Sequence, residues 1–269
     1  MITPSKFGDA ILSLFFPRKC PLCGRIAPEG EEAHLCQECA RYLSAELEIR
    51  CPVCRCRATE CRCTPKPLRK AMSTVGDRKF IAVGFYQPKS KSALLNRLIY
   101  TVKNSTDDTA ARVLARMLSK EILKHFLKNG EEVREWIITY PPRRRRNKRK
   151  TGVDQAKRIA RFVARDLGAE FEAVFTRKRE AEQKRLRKED RIKSAADTYA
   201  VRSTADCCGK RYILCDDILT SGATLSSCAE KLIAAGAIDV FAATALYSLP
   251  KGKVFPYRSD VPWFNEVNS

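Results

Sequence analysis

The sequence has no apolar run long enough to cross a membrane. The longest one near its start, Ala10–Phe16, is interrupted by Ser13, whereas a membrane-spanning helix needs about 20 consecutive apolar residues. Pro17-Arg18-Lys19-Cys20 follows this run, and it lacks the small residues at which a secretory signal is cleaved. We therefore interpret the run as a short helix that packs its apolar face on the rest of the protein, and we expect a cytoplasmic protein.

Acidic residues are in the minority. The 269 residues include 51 Lys and Arg against 31 Asp and Glu, which leaves a formal net charge of +20. Such a surplus attracts polyanions and raises non-specific affinity for nucleic acid or anionic surfaces, although a well-solvated surface can have the same composition. The 44% hydrophobic and 30% charged content is that of a globular protein, with enough length for one core and a small additional module.

The thirteen cysteines do not fit a disulfide framework, because cytosolic thiols are kept reduced. Nine of them fall between Cys20 and Cys63: three C-x-x-C pairs, a final C-x-C pair and Cys56. Each two-residue spacing lets one tight turn aim two thiolates at one ion, and two such turns complete a tetrahedral zinc site. Gly24 supplies the backbone freedom for the first turn. The predicted ligands of one or two structural zinc ions are Cys20, Cys23, Cys36, Cys39, Cys51, Cys54, Cys61 and Cys63.

Some alternatives remain open within this module. Cys56 is a ninth cysteine, and the last pair has one intervening residue, so spacing does not assign pairs to ions. Buried free thiols are the competing interpretation, but three such pairs within 35 residues disfavour it. His34 could replace one ligand, although we favour a surface histidine.

Strand and helix patterns alternate from about Met72 onwards, which predicts an α/β fold with a mostly parallel sheet flanked by helices. Thr64-Pro65-Lys66-Pro67 resembles an extended linker, because proline fixes the chain and ends helices. We therefore predict an N-terminal helix and zinc module over 1–66 and an α/β domain over 67–269. The predicted strands are Phe80–Tyr86, Trp136–Tyr140, Arg211–Cys215 and Val240–Tyr247. The predicted helices are Lys91–Lys103, Asp107–Lys128, Asp154–Leu167 and Gly222–Ala235.

A phosphate site is predicted where the strand ending at Cys215 meets the following helix. Asp216 and Asp217 come first, and a small-residue turn then opens the helix. Free N–H groups and the helix dipole suit a phosphate, while the carboxylates can accept hydrogen bonds from ribose hydroxyls and help to organise Mg²⁺. The alternative is an ordinary helix start that Asp217 caps; the whole string in order favours a ligand. The turn residues are Thr220, Ser221, Gly222, Ala223 and Thr224.

The string from Asp216 to Thr224 resembles the phosphoribosyl pyrophosphate motif of type I phosphoribosyltransferases. The chain as a whole resembles the ComF family of bacterial competence-associated, phosphoribosyltransferase-like proteins, and this resemblance covers nearly all of it. The other matching segments are Ile11–Pro17 leading into Cys20–Gly24, then Tyr86, Leu95, Leu98 and Lys103 at the first helix, and Gln183–Leu186 with Glu189 and Arg191 at a mobile loop.

The resemblance implies a type I phosphoribosyltransferase-like fold behind a double zinc ribbon. It implies that Asp216 and Asp217 contact the ribose, that Thr220–Thr224 holds the 5′-phosphate, and that the turn from Pro142 to Arg143 faces the pyrophosphate. Phosphoribosyl pyrophosphate or a nucleotide, bound with Mg²⁺, is the implied ligand, and a helicase-like competence protein is the implied partner.

One departure from the family pattern concerns turnover. The family usually shows Arg-Gly-Phe-Asn-Gln before its next helix, where this chain has Thr151-Gly152-Val153-Asp154-Gln155. Gly152 and Gln155 match, but the arginine and the aromatic residue are missing. The resemblance therefore supports ligand binding more strongly than turnover.

Two basic stretches follow predicted strands. Arg143–Lys150 has seven cations in eight residues, which predicts contact with pyrophosphate at its near end and with single-stranded DNA along its length; a solvated loop is the alternative. Arg177–Lys193 has nine cations and four acids, and it predicts a flap over the site or a charged surface helix. Neither contains the interleaved aromatic residues that stack bases, so sequence-specific recognition is not predicted.

Three functions are compatible with these patterns. The first is an enzyme in which a nucleophile displaces pyrophosphate from C1 of the ribose, with catalysis by positioning and charge stabilisation. No general base or base-recognition segment is evident, so the acceptor is open. The second is a nucleic-acid-binding competence protein that uses the zinc module and the basic run. The third is an adaptor that docks a helicase-like partner.

Overall fold

The structure, a computed structural model, describes residues 17–27, 34–72, 80–88, 90, 93–143, 154–177 and 198–249. The predicted helix at Ala10–Phe16, the basic run after Arg143, Thr151–Val153 and the flap residues after Arg177 lie outside the described residues. The strands are β1 Phe80–Tyr86, β2 Trp136–Thr139, β3 Glu170–Phe171, β4 Phe175–Arg177, β5 Tyr199–Val201, β6 Arg211–Leu219 and β7 Asp239–Ser248. The α-helices are α1 Gln37–Leu47, α2 Lys66–Ala71, α3 Leu94–Asn104, α4 Thr109–Lys128, α5 Gln155–Leu167 and α6 Ala223–Ala234.

Five strands form one parallel sheet in the order β1-β7-β6-β2-β3. Its central strands are apolar on both faces, as parallel strands covered on both sides are. Helices α3, α4 and α5 pack on one face through residues such as Leu98, Leu114 and Ile159. Helices α2 and α6 pack on the other through Leu68 and Leu232. The predicted α/β fold, with a mostly parallel sheet between helices, is confirmed.

Strand β6 is longer than the sequence predicts. The prediction ended it at Cys215, but its pairing with β7 continues to Leu219 beside Tyr247. Asp216 and Asp217 therefore lie inside strand β6, near its carboxyl end, and not in a loop, because the strand still pairs with β7 beyond them. The ladder fixes the direction of both carboxylates.

The prediction of an extended linker over Thr64–Pro67 is wrong for Lys66 and Pro67, which begin α2 (Lys66–Ala71). Pro65 stands at the position before the helix and Pro67 lies in its first turn, where a missing N–H costs nothing because the first helical N–H groups have no intrahelical partner. Leu68 is fully buried against the sheet. The segment after the cysteine module is therefore part of the core.

Sequence patterns did not predict α1 or the antiparallel pair β4–β5. Helix α1 joins the cysteine module to the α/β domain through Glu46. The Glu46 carboxylate is 5% exposed and accepts hydrogen bonds from the N–H groups of Leu94 (2.7 Å) and Leu95 (3.3 Å). These donors begin α3, so a side chain from α1 satisfies orphan groups at the N-terminus of another helix.

Burial of Glu46 makes stability depend on pH. Burial, partly offset by the two N–H groups, raises the pKa of the Glu46 carboxyl to about 7 from 4.5. The folded protein then binds a proton that the unfolded chain releases, so stability falls as pH rises from about 4.5 to about 7. We expect Glu46→Gln to remove as much as about 3 kcal/mol of this decrease, measured by urea unfolding at several pH values. The same change at exposed Glu48 is the control, and equal pH profiles for wild type and Glu46→Gln would contradict the assignment.

Candidate functional site

The turn between β6 and α6 leaves the N-terminus of the helix open. Gly222 precedes the helix with a φ of 81°, in the left-handed region that favours glycine. Gly222, at the N-cap, has no side chain to cap the helix. The Ser221 hydroxyl accepts the N–H of Ala223 at 3.4 Å, and Asp217 accepts the N–H of Ile218 at 2.8 Å. The alternative in which Asp217 or Thr220 caps this helix therefore does not hold, and the first N–H groups of α6 have no intrahelical acceptor.

A cleft of about 200 Å³ opens beside this turn, at the edge where the strands end. It brings together residues from three segments that the sequence treated separately. Among the predicted site residues, Pro142, Arg143, Asp216 and Thr224 line it, whereas Asp217 and Thr220–Ala223 are chain neighbours that do not. The lining residues are Pro141, Pro142, Arg143, Arg177, Tyr199, Asp216 and Thr224.

Asp216 is the acidic group of the cleft. Loss of hydration raises the pKa of its carboxyl well above the ordinary value, and the neighbouring charges of Asp217 and Asp154 act in the same direction. Its Oδ1 also accepts the N–H of Asp217 at 2.8 Å, which favours the ionised form. A carboxylate that is costly to ionise without a partner is suited to accept hydroxyl donors or to face a cation.

The loop after β2 is held by the start of α5. Asp154 is buried, accepts the N–H of Lys157 as the cap of α5, and also accepts the N–H of Arg143 at 3.4 Å. One carboxylate therefore fixes both the helix start and the loop that carries Pro142.

Arg177 and Tyr199 are cleft residues whose roles sequence reasoning missed. They pair across β4–β5; Arg177 Nη1 donates to the Tyr199 hydroxyl at 2.9 Å, and the guanidinium lies 5.1 Å from the ring centroid. Arg177 had been predicted only as the beginning of a charged flap. Tyr199 carried no signal, because its place depends on pairing across residues that are distant in sequence.

The chain leaving the cysteine module packs directly on the β6–α6 turn. A Cβ atom added to Gly222 would lie 3.1 Å from Pro65 Cβ and 3.2 Å from Leu68 Cβ. The Ser226 hydroxyl in the first turn of α6 donates to the carbonyl oxygen of Pro67 at 3.1 Å. The module is therefore in contact with the helix start that forms one wall of the cleft.

The eight predicted cysteine ligands form two groups of four, in each of which all sulfur atoms lie within 4.8 Å of one another. Measured Sγ–Sγ distances are 3.5 Å for Cys23–Cys36, 3.8 Å for Cys51–Cys63 and 3.6 Å for Cys54–Cys61. Four sulfurs at 2.3 Å from a tetrahedral zinc ion lie about 3.8 Å apart, so both groups fit such an ion. The groups are Cys20, Cys23, Cys36 and Cys39, and Cys51, Cys54, Cys61 and Cys63.

The thiols group as Cys20–Cys39 and Cys51–Cys63, a division that spacing left open, and neither Cys56 nor His34 belongs to either group. The Cys56 thiol instead donates to the carbonyl oxygen of Cys54 at 3.4 Å. The first and third of the three C-x-x-C pairs repeat one geometry: the residue after each pair has a positive φ, 75° at Gly24 and 61° at Arg55. Each of these residues donates its N–H to the first cysteine of its pair, at 2.8 and 2.9 Å.

One thiol in each group has a lowered pKa that favours the thiolate near neutral pH. Burial alone would raise the pKa of Cys23, but hydrogen bonds from Arg25 outweigh it and lower the pKa to about 7. At Cys54, hydrogen bonds from the N–H groups of Arg62 and Cys56 outweigh burial and lower the pKa to about 6. Thiolates are the form that binds a metal.

Comparison with known proteins gives relatives of similar length. No protein-family model matches the chain. The chain is similar to DNA utilization proteins named YhgH. It is 26% identical over 234 residues to the protein from Shigella flexneri and 25% identical over 232 residues to that from Salmonella typhimurium, covering 84% of this chain and 96% of each relative.

Solved structures that overlap with this one have low similarity scores. A glutamine phosphoribosylpyrophosphate amidotransferase from B. subtilis, complexed with ADP and GMP, aligns with 54% of this chain and 30% of its own at 17% identity and a TM-score of 0.38. A hypoxanthine phosphoribosyltransferase from Staphylococcus aureus aligns with 63% of this chain and 90% of its own at 10% identity and a TM-score of 0.35. Within the described residues, no helix is long and apolar enough to cross a membrane.

Proposed function

We propose that the chain is a ComF-type, phosphoribosyltransferase-like protein that binds phosphoribosyl pyrophosphate with Mg²⁺ in the cleft beside α6. The observation that carries this proposal is the convergence of Asp216 and Thr224, from the β6–α6 turn, with Pro142 and Arg143, from the loop after β2, around one cavity. These are the segments that a sugar flanked by two phosphate groups would have to bridge.

Each part of the ligand has a chemical counterpart in the cleft. The 5′-phosphate binds at the N-terminus of α6, where N–H groups and the hydroxyls of Thr220, Ser221 and Thr224 are the donors. Asp216, which lines the cleft, accepts hydrogen bonds from the ribose hydroxyls; a ribose contact of Asp217, which does not line it, stays a prediction from the resemblance. The pyrophosphate lies towards the loop of Pro142 and Arg143, and the Arg177 guanidinium, which also lines the cleft, is a further donor. Mg²⁺ would neutralise part of the pyrophosphate charge and stabilise it as a leaving group.

Two structural zinc ions complete the proposal. Each group of four thiols fits a tetrahedral ion, and a site whose positions are all filled by protein is structural and not catalytic. Zinc would tie the turn at Gly24 to α1 and the turn at Arg55 to the segment before α2. A cytoplasmic setting, in which thiols stay reduced, is part of the same proposal.

The test is a calorimetric titration of the zinc-loaded protein with phosphoribosyl pyrophosphate, with and without Mg²⁺. We expect saturable binding that weakens when Mg²⁺ is removed. Pyrophosphate alone and ribose 5-phosphate alone are expected to compete, because each occupies one end of the site. Absence of both heat and ligand consumption would refute the proposal. Release of pyrophosphate in the presence of a nucleophile would show turnover as well as binding.

A second function, in DNA handling, is favoured by the relatives' name, DNA utilization protein, and by the net charge of +20. We propose that the chain binds single-stranded DNA through its phosphates, with steep salt dependence. The predicted role of Arg143–Lys150 is tested by changing Arg143–Arg146 to alanine, which should weaken binding if the run grips DNA. A helicase-like competence partner stays a prediction from the resemblance.

A further inference from the structure

A second basic surface lies away from the cleft, on the outer side of α4. Arg112, Arg116 and Lys120 follow one another at intervals of four residues, so they lie on successive turns of the helix. From the first to the last they span about 12 Å, at 1.5 Å per residue. Lys120 is exposed and the two arginines are half-buried.

Neighbouring elements widen this row into a surface. Helix α5 packs beside α4, and two guanidinium groups lie over the half-buried Phe162 ring, with Arg112 Cζ at 4.5 Å and Arg165 Cζ at 5.1 Å from its centroid. Arg18, from the cysteine module, adds a further charge: loss of hydration, and then the charges of Arg18, Arg112, Arg165 and Arg116, lower the pKa of His34. We name Arg18, Arg112, Arg116, Lys120 and Arg165 the α4 basic face.

Some cations nearby have structural roles and do not belong to this face. Arg158 donates to the Asp108 carboxylate at 2.7 Å and to the carbonyl oxygens of Val102 and Ser105, so it fastens the α3–α4 connection. Within the face, the exposed Arg165 side chain forms an ion pair with Asp166 at 3.0 Å. Arg165 Nε and Nη2 both donate to Asp166 Oδ1, at 3.3 and 3.0 Å, and this carboxylate offsets part of the Arg165 charge.

The kind of partner follows from this arrangement. Several cations in a row suit a linear polyanion better than a single phosphate group, and arginine matches phosphate oxygens with two donors. The Phe162 ring has guanidinium groups over it, so it orients arginines and does not offer a face for a base. Exposed Lys124 continues the row one turn beyond Lys120. The charge pattern therefore selects the backbone of a nucleic acid and not its sequence.

We propose that the α4 basic face binds the phosphate backbone of nucleic acid, as a site separate from the cleft. This inference rests on the second function proposed above and gives it a location. None of the five face residues lines the cleft, so nucleic acid and phosphoribosyl pyrophosphate can be bound together.

The test compares two triple variants of the full zinc-loaded chain. Arg116→Gln/Lys120→Gln/Arg165→Gln removes three charges from the face. Lys70→Gln/Lys210→Gln/Lys231→Gln removes three charges from α2, from the residue before β6 and from α6, and is the matched control. Binding of a fluorescein-labelled oligothymidylate is followed by anisotropy over a series of salt concentrations. Thermal melts and titration with phosphoribosyl pyrophosphate show whether each variant is folded.

We expect the face variant to lower the slope of log affinity against log salt by about 2, because each lost single-strand contact contributes about 0.7. Affinity at low salt should fall about tenfold, while the control changes much less. An equal loss in both variants, or an unchanged slope in the face variant, would overturn the assigned location. Absence of oligonucleotide binding by the wild type would reject the DNA function itself, whatever the cleft binds.

Discussion

Replacing Cys61 by serine is expected to remove one of two zinc ions and to lower the free energy of unfolding by about 3–5 kcal/mol, because structural zinc binding contributes directly to folding. Cys61 is 2% exposed, and its Sγ lies 3.6 Å from that of Cys54. A serine hydroxyl is a poor zinc ligand, and it would be buried beside three thiols. Metal content by atomic emission and urea unfolding measure the two effects.

Cys56 provides a matched control within the same module. Its thiol contacts the Cys54 carbonyl and is outside both groups of four, so Cys56→Ser should keep both zinc ions and nearly all of the stability. Equal zinc loss in Cys56→Ser and Cys61→Ser would mean that the ligand set is wrong.

The Cys61→Ser substitution should also weaken ligand binding in the cleft. Cys63, a proposed ligand of this ion, accepts the Tyr247 hydroxyl through its carbonyl oxygen, and two residues later Pro65 packs on Gly222. Loss of the ion would loosen the segment that supports the turn before α6. We expect phosphoribosyl pyrophosphate affinity to fall about tenfold in Cys61→Ser, a coupling of about 1.4 kcal/mol. Linkage then requires the ligand to slow zinc removal by a chelator.

Contacts with residues distant in sequence explain why the segment around Pro65 was misinterpreted from sequence. Two prolines in four residues indicate an extended linker when only local preferences are considered. The buried contact of Leu68 with α6 and the hydrogen bond from Ser226 to Pro67 involve residues more than 150 positions away. Such contacts override local preference, and no pattern within the segment announces them.

Where local patterns were sufficient, prediction was accurate. The fully buried strand β1 was predicted with its bounds, and α5 was predicted with Asp154 at its start, which the structure places at the cap. These elements are specified by continuous apolar runs or a strong helical period. The missed pair β4–β5 is short, and its two strands are separated by a charged stretch, so its pairing could not be read from either strand.

In the candidate site, too, some residues could be predicted from local sequence and others depend on tertiary pairing. The turn from Asp216 to Thr224 was recognised as a string, because its chemistry is contiguous. The distribution of its residues around the cleft was not predictable, since continuation of β6 to Leu219 decides which carboxylate faces the cavity. Arg177 and Tyr199 enter the cleft through a strand pair and not through a motif. Tertiary pairing therefore supplies the residues that a motif search omits.

Asp216→Asn is expected to weaken phosphoribosyl pyrophosphate binding by about 2 kcal/mol, about thirtyfold, because a charged acceptor of hydrogen bonds is lost. Asparagine preserves shape and keeps one acceptor oxygen, so the effect is due to charge. Asp239→Asn, at the opposite end of the sheet where β7 begins, is the control with the same chemical change. Calorimetry at fixed Mg²⁺ measures both variants, and unchanged affinity in Asp216→Asn would contradict the proposed ribose contact.

The pH dependence of this variant separates a binding role from a structural one. The pKa of the Asp216 carboxyl is raised by burial and then by the charge of Asp217, so the ionised form is costly in the free protein. Stability from this group is present at low pH and is lost as pH rises towards the raised pKa. Asp216→Asn should therefore be at least as stable as the wild type at neutral pH, although it binds more weakly. Wild-type affinity should increase as pH rises through the Asp216 pKa, because the ligand requires the carboxylate, and this increase should be absent in the asparagine variant.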